Sequence, residues 1–240
     1  MLKLKNISHR YKNQSCNSEI LVLEKIDLSV REGEIVSLVG ASGCGKTTLV
    51  NIIAGYIQPA GGSIFVNGKK VSAPGKDRIV VNQMYDLFDW MTVRQNMRLV
   101  SHDEASIDKY LSMTGLADFS DAYPYELSGG MKKILSLIRA LVVDPRFIIM
   151  DEPFSSLDCQ LREKLQETLL DIVKKTQKTV LFVTHDIEEA VFLSDRVIVL
   201  SGRPTQIKKE IAASFSKNKV VPGRNSEGFI LLKKKIREEM

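Results

Sequence analysis

Gly40-Ala41-Ser42-Gly43-Cys44-Gly45-Lys46-Thr47-Thr48 sets two glycines, a lysine and a hydroxyl at the spacing G-x-x-x-x-G-K-[ST]. Phosphate binding needs that order for three reasons. The glycines let successive backbone N–H groups turn toward one anion. A helix beginning near Thr47 adds the positive end of its dipole, and Lys46 reaches the outer phosphate oxygens while the Thr47 hydroxyl can ligate Mg²⁺. A second constellation stands at Asp151 and Glu152, two carboxylates at the end of the apolar run Phe147–Met150. Asp151 is placed to hold Mg²⁺ through water. Glu152, one residue further out and not needed for the metal, is the candidate general base on an attacking water. Acidic residues at a strand end are also ordinary turn formers, so the pair gains chemical meaning from its neighbour, the phosphate loop.

These residues need strands to present them. Ile35–Val39 is a short apolar run that ends at Gly40 and is followed by helical spacing, which is how a strand, loop, helix unit opens. Before it, Leu2, Leu4 and Ile7 and then Ile20 to Val30 alternate at period two around the polar loop Lys12 to Ser18, predicting an antiparallel hairpin. Apolar runs at Ser63–Val66, Ile79–Val81, Phe147–Met150, Val180–Val183 and Val197–Leu200 alternate with helical patterns at Leu161–Thr176 and Asp186–Leu193, which predicts a mainly parallel sheet covered by helices. Between Gln83 and Val142 only helical spacing is found, in Val93–Val100, Ser106–Thr114 and Gly130–Val142, and this reads as an inserted helical subdomain.

Leu127-Ser128-Gly129-Gly130-Met131 precedes the acidic pair and resembles the LSGGQ signature of ABC-transporter ATPases. The other motifs of that family follow in its order. Gln83 is similar to the Q-loop glutamine, Ser155-Ser156-Leu157-Asp158 to the D-loop, His185 to the switch histidine after a strand, and Tyr11 to the aromatic that stacks on adenine. The resemblance runs to about Arg203. Its finer features, Trp90-Met91-Thr92-Val93 and Leu193 to Pro204, are most similar to the nitrate/sulfonate/taurine-type importer ATPases. It implies an α/β fold, a P-loop NTPase core with a mainly parallel sheet, an N-terminal antiparallel β subdomain and the inserted α-helical subdomain. It also implies a division into 1–82 and 143–203 as the nucleotide-binding core, 83–142 as the helical signature subdomain and 204–240 as a basic C-terminal tail.

What the resemblance implies for function is specific. ATP and Mg²⁺ would be held by Tyr11, residues Gly40 to Thr48, Gln83 and Asp151, with Glu152, His185 and Gln83 catalytic. A second copy, related head to tail by a two-fold axis, would supply Ser128, Gly129, Gly130 and Asp158 in trans. The chain would power a bacterial importer through membrane permease subunits and, indirectly, a solute-binding protein, from the cytoplasmic face of the membrane. A soluble regulatory or nucleic-acid-associated ATPase and an exporter ATPase remain the alternatives. Three positions depart from the pattern: Met131 replaces the usual glutamine, Lys132-Lys133-Ile134 stands for an Arg-Gln-Arg run, and Asp89 precedes Trp90 where proline is frequent.

Composition narrows the remaining classes. The 240 residues are 44% hydrophobic and 26% charged with 15 Gly and 3 Cys, values of a globular chain and not of a disordered, collagenous or disulfide-stapled one. Cys16, Cys44 and Cys159 are far apart, predicting free thiols and no metal cage. Cys44, beside Lys46 and a helix start, is either a reactive thiolate or a buried small side chain. No apolar stretch approaches a bilayer span and no secretory h-region is present. The net charge of +5 resides in the last segment: ten Lys and Arg face four acidic residues from Arg203 to Met240, leaving 24 against 25 elsewhere. That distribution speaks against nucleic acid and leaves the tail as a solvated helix face or a contact for anionic lipid. Ser128 reads equally as a helix N-cap. Tyr85, Leu87, Phe88, Trp90 and Met91 read either as a groove for a permease helix or as the subdomain's own core.

Overall fold

In the computed structural model, residues 1–13, 18–82, 84, 86–155, 157–213 and 223–240 are described. The predicted hairpin forms from β1 (Leu2–Asn13) and β2 (Ser18–Val30), with Leu2 opposite Val30 and Tyr11 opposite Ile20. Next come β3 (Ile35–Val39), α1 (Lys46–Ala54), β4 (Gly61–Val66), β5 (Lys69–Lys70) and β6 (Arg78–Val81). The helical insertion holds α2 (Val93–Arg98), α3 (Glu104–Thr114) and α4 (Gly129–Leu141). The chain returns through β7 (Phe147–Asp151), α5 (Cys159–Thr176), β8 (Thr179–Thr184), α6 (Ile187–Leu193) and β9 (Arg196–Leu200), then β10 (Ile207–Ala212) and α7 (Glu227–Glu239).

Two sheets result. The larger has the order β10-β9-β3-β8-β7-β6, parallel from β9 to β6, with β10 antiparallel at one edge. Its central strands β3, β8 and β7 are buried at every position but the last residue of β7 because both faces are covered. In β7, Phe147 and Ile149 face the layer of α1 and the antiparallel sheet, whereas Ile148 and Met150 face the layer of α4 to α7. The smaller sheet, order β2-β1-β4-β5, is antiparallel throughout. Ser63–Val66 therefore belongs to that sheet and not to the parallel one in which the sequence reading placed it. The reason is visible in its burial: Ile64 and Val66 are buried while their neighbours are not, the alternation of a one-sided strand.

Residues 204–240 also differ from a solvated tail. Ile207–Ala212 closes the sheet edge, and α7 inserts Phe229 and Ile236, both fully buried, into the core. The two are seven positions apart, two turns of one helix face, and burying each such side chain contributes roughly 1.5 to 3 kcal/mol. Arg224 stacks 4.1 Å over the Phe192 ring and Lys233 pairs with Glu188, so two of the basic residues counted above serve to dock α7 on α6. No helix among the described residues is long and apolar enough to cross a membrane.

Candidate functional site

The carboxyl ends of β3, β7 and β8 lie side by side, and each delivers one part of the site. β3 runs into Gly40 and a loop that needs left-handed backbone at Gly43 (φ 75°) and Gly45 (φ 120°), conformations that glycine adopts without steric cost. Gly45 caps α1, and the next residue, Lys46, folds back over the loop: its Nζ donates to the carbonyls of Gly40 at 2.8 Å and Ala41 at 3.1 Å. At 6% exposure this ammonium is charge held in place by backbone carbonyls. Ala41, Ser42, Gly43 and Thr47 are exposed, Thr48 is half-buried, and Cys44 is buried, with its Sγ 3.0 Å from where a Cβ on Gly40 would stand. The thiol is thus core filler, and the reading of Cys44 as a reactive thiolate facing the phosphates is not what the structure shows.

β7 delivers the acidic pair. The Thr47 hydroxyl lies close enough to the Asp151 carboxyl to favour its ionised form, which brings together the two residues read as Mg²⁺ ligands. Burial pushes the Asp151 carboxyl above the ordinary aspartate value; the Thr47 hydroxyl and Lys46 pull it down, and the Glu152 charge pushes it up. Two hard oxygen donors side by side fit Mg²⁺. Among the described residues no group of three or more His, Cys, Asp and Glu could hold a metal by itself. Glu152 has a left-handed backbone (φ 47°), unusual for a non-glycine residue, and its N–H is bonded to Val183 O at 2.8 Å. That turn throws its side chain toward β8, where Glu152 Oε1 lies 3.2 Å from His185 Nδ1.

The remaining sequence-predicted residues divide. Tyr11, exposed at the end of β1, approaches Thr48 with its hydroxyl 3.4 Å from Oγ1, so the aromatic stands beside the phosphate loop. His9, which the sequence did not single out, meets the Tyr11 ring edge to face at 4.8 Å. Gln83 lies outside the described residues, as do Tyr85, Ser156 and Cys16. Ser128 caps α4 by accepting from Met131 N–H at 3.3 Å, and Gly129 and Gly130 form the first turn. Among the described residues no hydrogen bond or ion pair joins Ser128, Gly129 or Gly130 to Gly40–Thr48 of the same chain. Asp158 caps α5, accepting from Leu161 N–H at 3.0 Å, and Gly130 is tight against that helix: a Cβ there would stand 2.5 Å from Leu161 Cδ1. Sequence reasoning gave Lys133 no role. It is buried, donates to Asn82 O at 3.1 Å beside position 83, and is pushed down to about 8 by desolvation, with Asp86 opposing.

The segment around Trp90 combines both readings made of it. Leu87 packs on the core, whereas Phe88 and Trp90 are exposed, Trp90 at 71%, with their rings edge to face at 5.2 Å. Beside them Val81, Asp86, Phe88, Val100 and Arg139 line a groove of about 250 Å³. Buried Asn96 holds this loop by its backbone, accepting from Phe88 N–H and donating to the carbonyls of Phe88, Met91 and Thr92.

Comparison with known proteins agrees with this geometry. Residues 23–155 match the family described as ABC transporter. The chain is 44% identical over 211 residues to the nitrate import ATP-binding protein NrtD of Synechocystis sp., covering 85% of this chain and 79% of that one. It is 42% identical over 223 residues to the taurine import ATP-binding protein TauB of Ruegeria pomeroyi, covering 90% and 83%. Among solved structures, the dimeric bacterial ABC transporter cassette MJ0796 superposes with a TM-score of 0.75 at 30% identity, over 89% of this chain and 99% of that one. The same cassette in a post-hydrolysis state, bound to ADP and Pi, gives 0.73 at 29% identity, with the same coverage. With the phosphate loop, acidic pair and histidine converging on one end of a parallel sheet, and with these matches along most of its length, the chain belongs to the ABC transporter family and is an ATPase cassette of it.

Proposed function

We propose that the chain is the ATP-hydrolysing subunit of an importer for a small solute of the nitrate or taurine kind, acting as a head-to-tail pair of copies on the inner face of the membrane. The observation that carries the hydrolytic part is the Glu152–His185 contact near Lys46, Thr47 and Asp151, which brings a carboxylate, an imidazole and a glycine-loop lysine to one sheet end. Backbone N–H groups of the loop and Lys46 bind the phosphates; Thr47 and Asp151 hold Mg²⁺, which neutralises phosphate charge when bound. Glu152 takes the proton of the attacking water, and His185, which meets Glu152 in this structure, turns to donate to the terminal phosphate. Ser128, Gly129 and Gly130 of a second copy complete the site with a capped helix start. Asp158, at the start of α5, the helix whose Leu161 packs against Gly130, contributes to the same junction between copies, and Gln83 would be a further ligand of Mg²⁺.

Support for the importer part comes from the import relatives and from the exposed Phe88–Trp90 pair over its groove, which fits a short permease helix. A solute-binding protein delivers the cargo to that permease. The decisive experiment is co-expression with a candidate membrane permease. Recovery of a membrane complex whose ATPase rate rises with nitrate or an alkylsulfonate supports the proposal, and failure of Trp90→Ala to reduce recovery refutes the docking surface.

A further inference from the structure

Arg203 and Thr205 lie where β9 passes the chain toward β10, and the reading above gives neither a role. Both reach across to the phosphate loop. Arg203 Nε donates to Gly43 O at 2.6 Å, and the hydroxyl of Thr205, a residue with no exposed surface, donates to Cys44 O. These carbonyls belong to two consecutive peptide units whose N–H groups are those of Cys44 and Gly45. In a trans peptide the C=O and N–H point in opposite directions, so a donor that holds each carbonyl on the outer side of the loop turns the matching N–H toward the other side. A hydrogen-bonded carbonyl also makes its own N–H a stronger donor.

The clamp is itself anchored. Thr205 N–H donates to Val22 O at 2.8 Å and Thr205 O accepts from Glu24 N–H at 3.0 Å, which ties it to β2. Its fit is close: a Cβ on Gly45 would stand 3.0 Å from both Thr205 Oγ1 and Val22 Cγ1. Arg203 Nη2 lies 3.8 Å from where a Cβ on Gly43 would stand, so an exposed guanidinium covers the outer wall of the loop and adds positive charge there.

We propose that Arg203 and Thr205 are positioning residues for nucleotide binding: by clamping the Gly43 and Cys44 carbonyls outside the loop, they fix two consecutive peptide planes, so that the Gly45 N–H is aimed at the phosphates of ATP and the Cys44 N–H, which donates to Ala41 O at 3.2 Å, keeps the loop in that turn. This rests on the reading of Gly40–Thr48 as the phosphate site. The test measures Mg·ATP affinity and steady-state hydrolysis of the full chain for Arg203→Met, Arg203→Lys, Thr205→Val and Thr205→Ser, with Lys46→Ala as reference. Loss of one hydrogen bond of this kind is expected to raise Kd and KM about tenfold in Arg203→Met and Thr205→Val. The saturated rate should stay within about twofold, because ground-state and transition-state phosphates lose the same donors. Thr205→Ser, which keeps the hydroxyl, should bind as the parent does, and Arg203→Lys should recover part of the affinity. Should Thr205→Val fail to fold, the surface variant Arg203→Met still decides. Parent-like ATP affinity in Arg203→Met, or a fall in kcat with unchanged KM, overturns the clamp. If Lys46→Ala also binds ATP as the parent does, it is the phosphate-site reading that falls; if only Lys46→Ala loses binding, the clamp alone is wrong.

Discussion

His185 Nδ1 lies 3.2 Å from Glu152 Oε1, although the two residues leave different strands. An ionised carboxylate has acceptors only, so the imidazole proton sits on Nδ1, and a neutral ring then presents a lone pair at Nε2. A phosphate oxygen needs a donor. Contact between His185 and the terminal phosphate therefore requires the ring to swing away from Glu152.

Replacing the proposed base, Glu152, isolates its role. Glu152→Gln should retain ATP binding and lose about 10² to 10⁴ in hydrolysis rate. Single-turnover assays with size-exclusion chromatography are expected to find an ATP-bound dimer, and turnover at the parent rate would remove Glu152 from the mechanism.

Asp151 predicts a shifted acid limb. Its carboxyl is raised by burial, and only the carboxylate binds Mg²⁺ well, so activity should begin to fall at a higher pH than an ordinary aspartate would give. Thr47→Ala removes the hydroxyl that favours the carboxylate and should move the limb higher still. A kcat/KM profile against pH, with an acid limb unmoved in Thr47→Ala, contradicts this.

Lys133 supplies a test in stability. Its folded-state value of about 8 lies below the model-peptide 10.5, so between those values the unfolded chain binds the extra proton and the folded one does not. Stability contributed at this site thus rises with pH across that window, by at most about 3 kcal/mol. Urea titrations at pH 8 and 10 should give a rise that Lys133→Met lacks; identical pH dependence in both proteins rejects it.

Gly130 and Leu161 are predicted to be coupled. Gly130→Ala drives a methyl into the Leu161 side chain and should cost on the order of 1 to 3 kcal/mol, recovered in part by Leu161→Ala. Additive costs in the double variant would show that the two do not meet.

Thiol labelling should separate the two described cysteines. Cys159 is exposed and Cys44 is 3% exposed within an apolar cluster, so a maleimide should mark Cys159 first and leave ATPase activity intact until Cys44 reacts. Faster reaction at Cys44, mapped by mass spectrometry, would place that thiol at the surface.

The phosphate loop, the acidic pair and the signature stand out in the sequence because each is a local run of fixed spacing. Residues whose meaning depends on distant partners could not. Thr205 acts on a carbonyl 161 positions away, and nothing around it marks a donor. The alternation in Gly61–Val66 shows a one-sided strand but not which sheet receives it. Charge counting made residues 204–240 look like a tail because Lys233 to Lys235 outweigh the two core side chains Phe229 and Ile236. Cys44 misled in the opposite way: neighbours in sequence suggested reactivity, and burial decided otherwise.

Asn96 gives the Phe88–Thr92 loop a property that matters at the moment of docking. Its amide, with no exposed surface, is bonded to four backbone groups of the loop, which fixes their dihedrals before any partner arrives. The backbone entropy that a free loop would surrender on association, roughly 1 to 2 kcal/mol for each residue, has already been lost in folding. A partner meeting Trp90 therefore encounters a ready socket. Under the docking proposed above, movement of that partner would pass to α2 and α4 as displacement and would not be absorbed as slack.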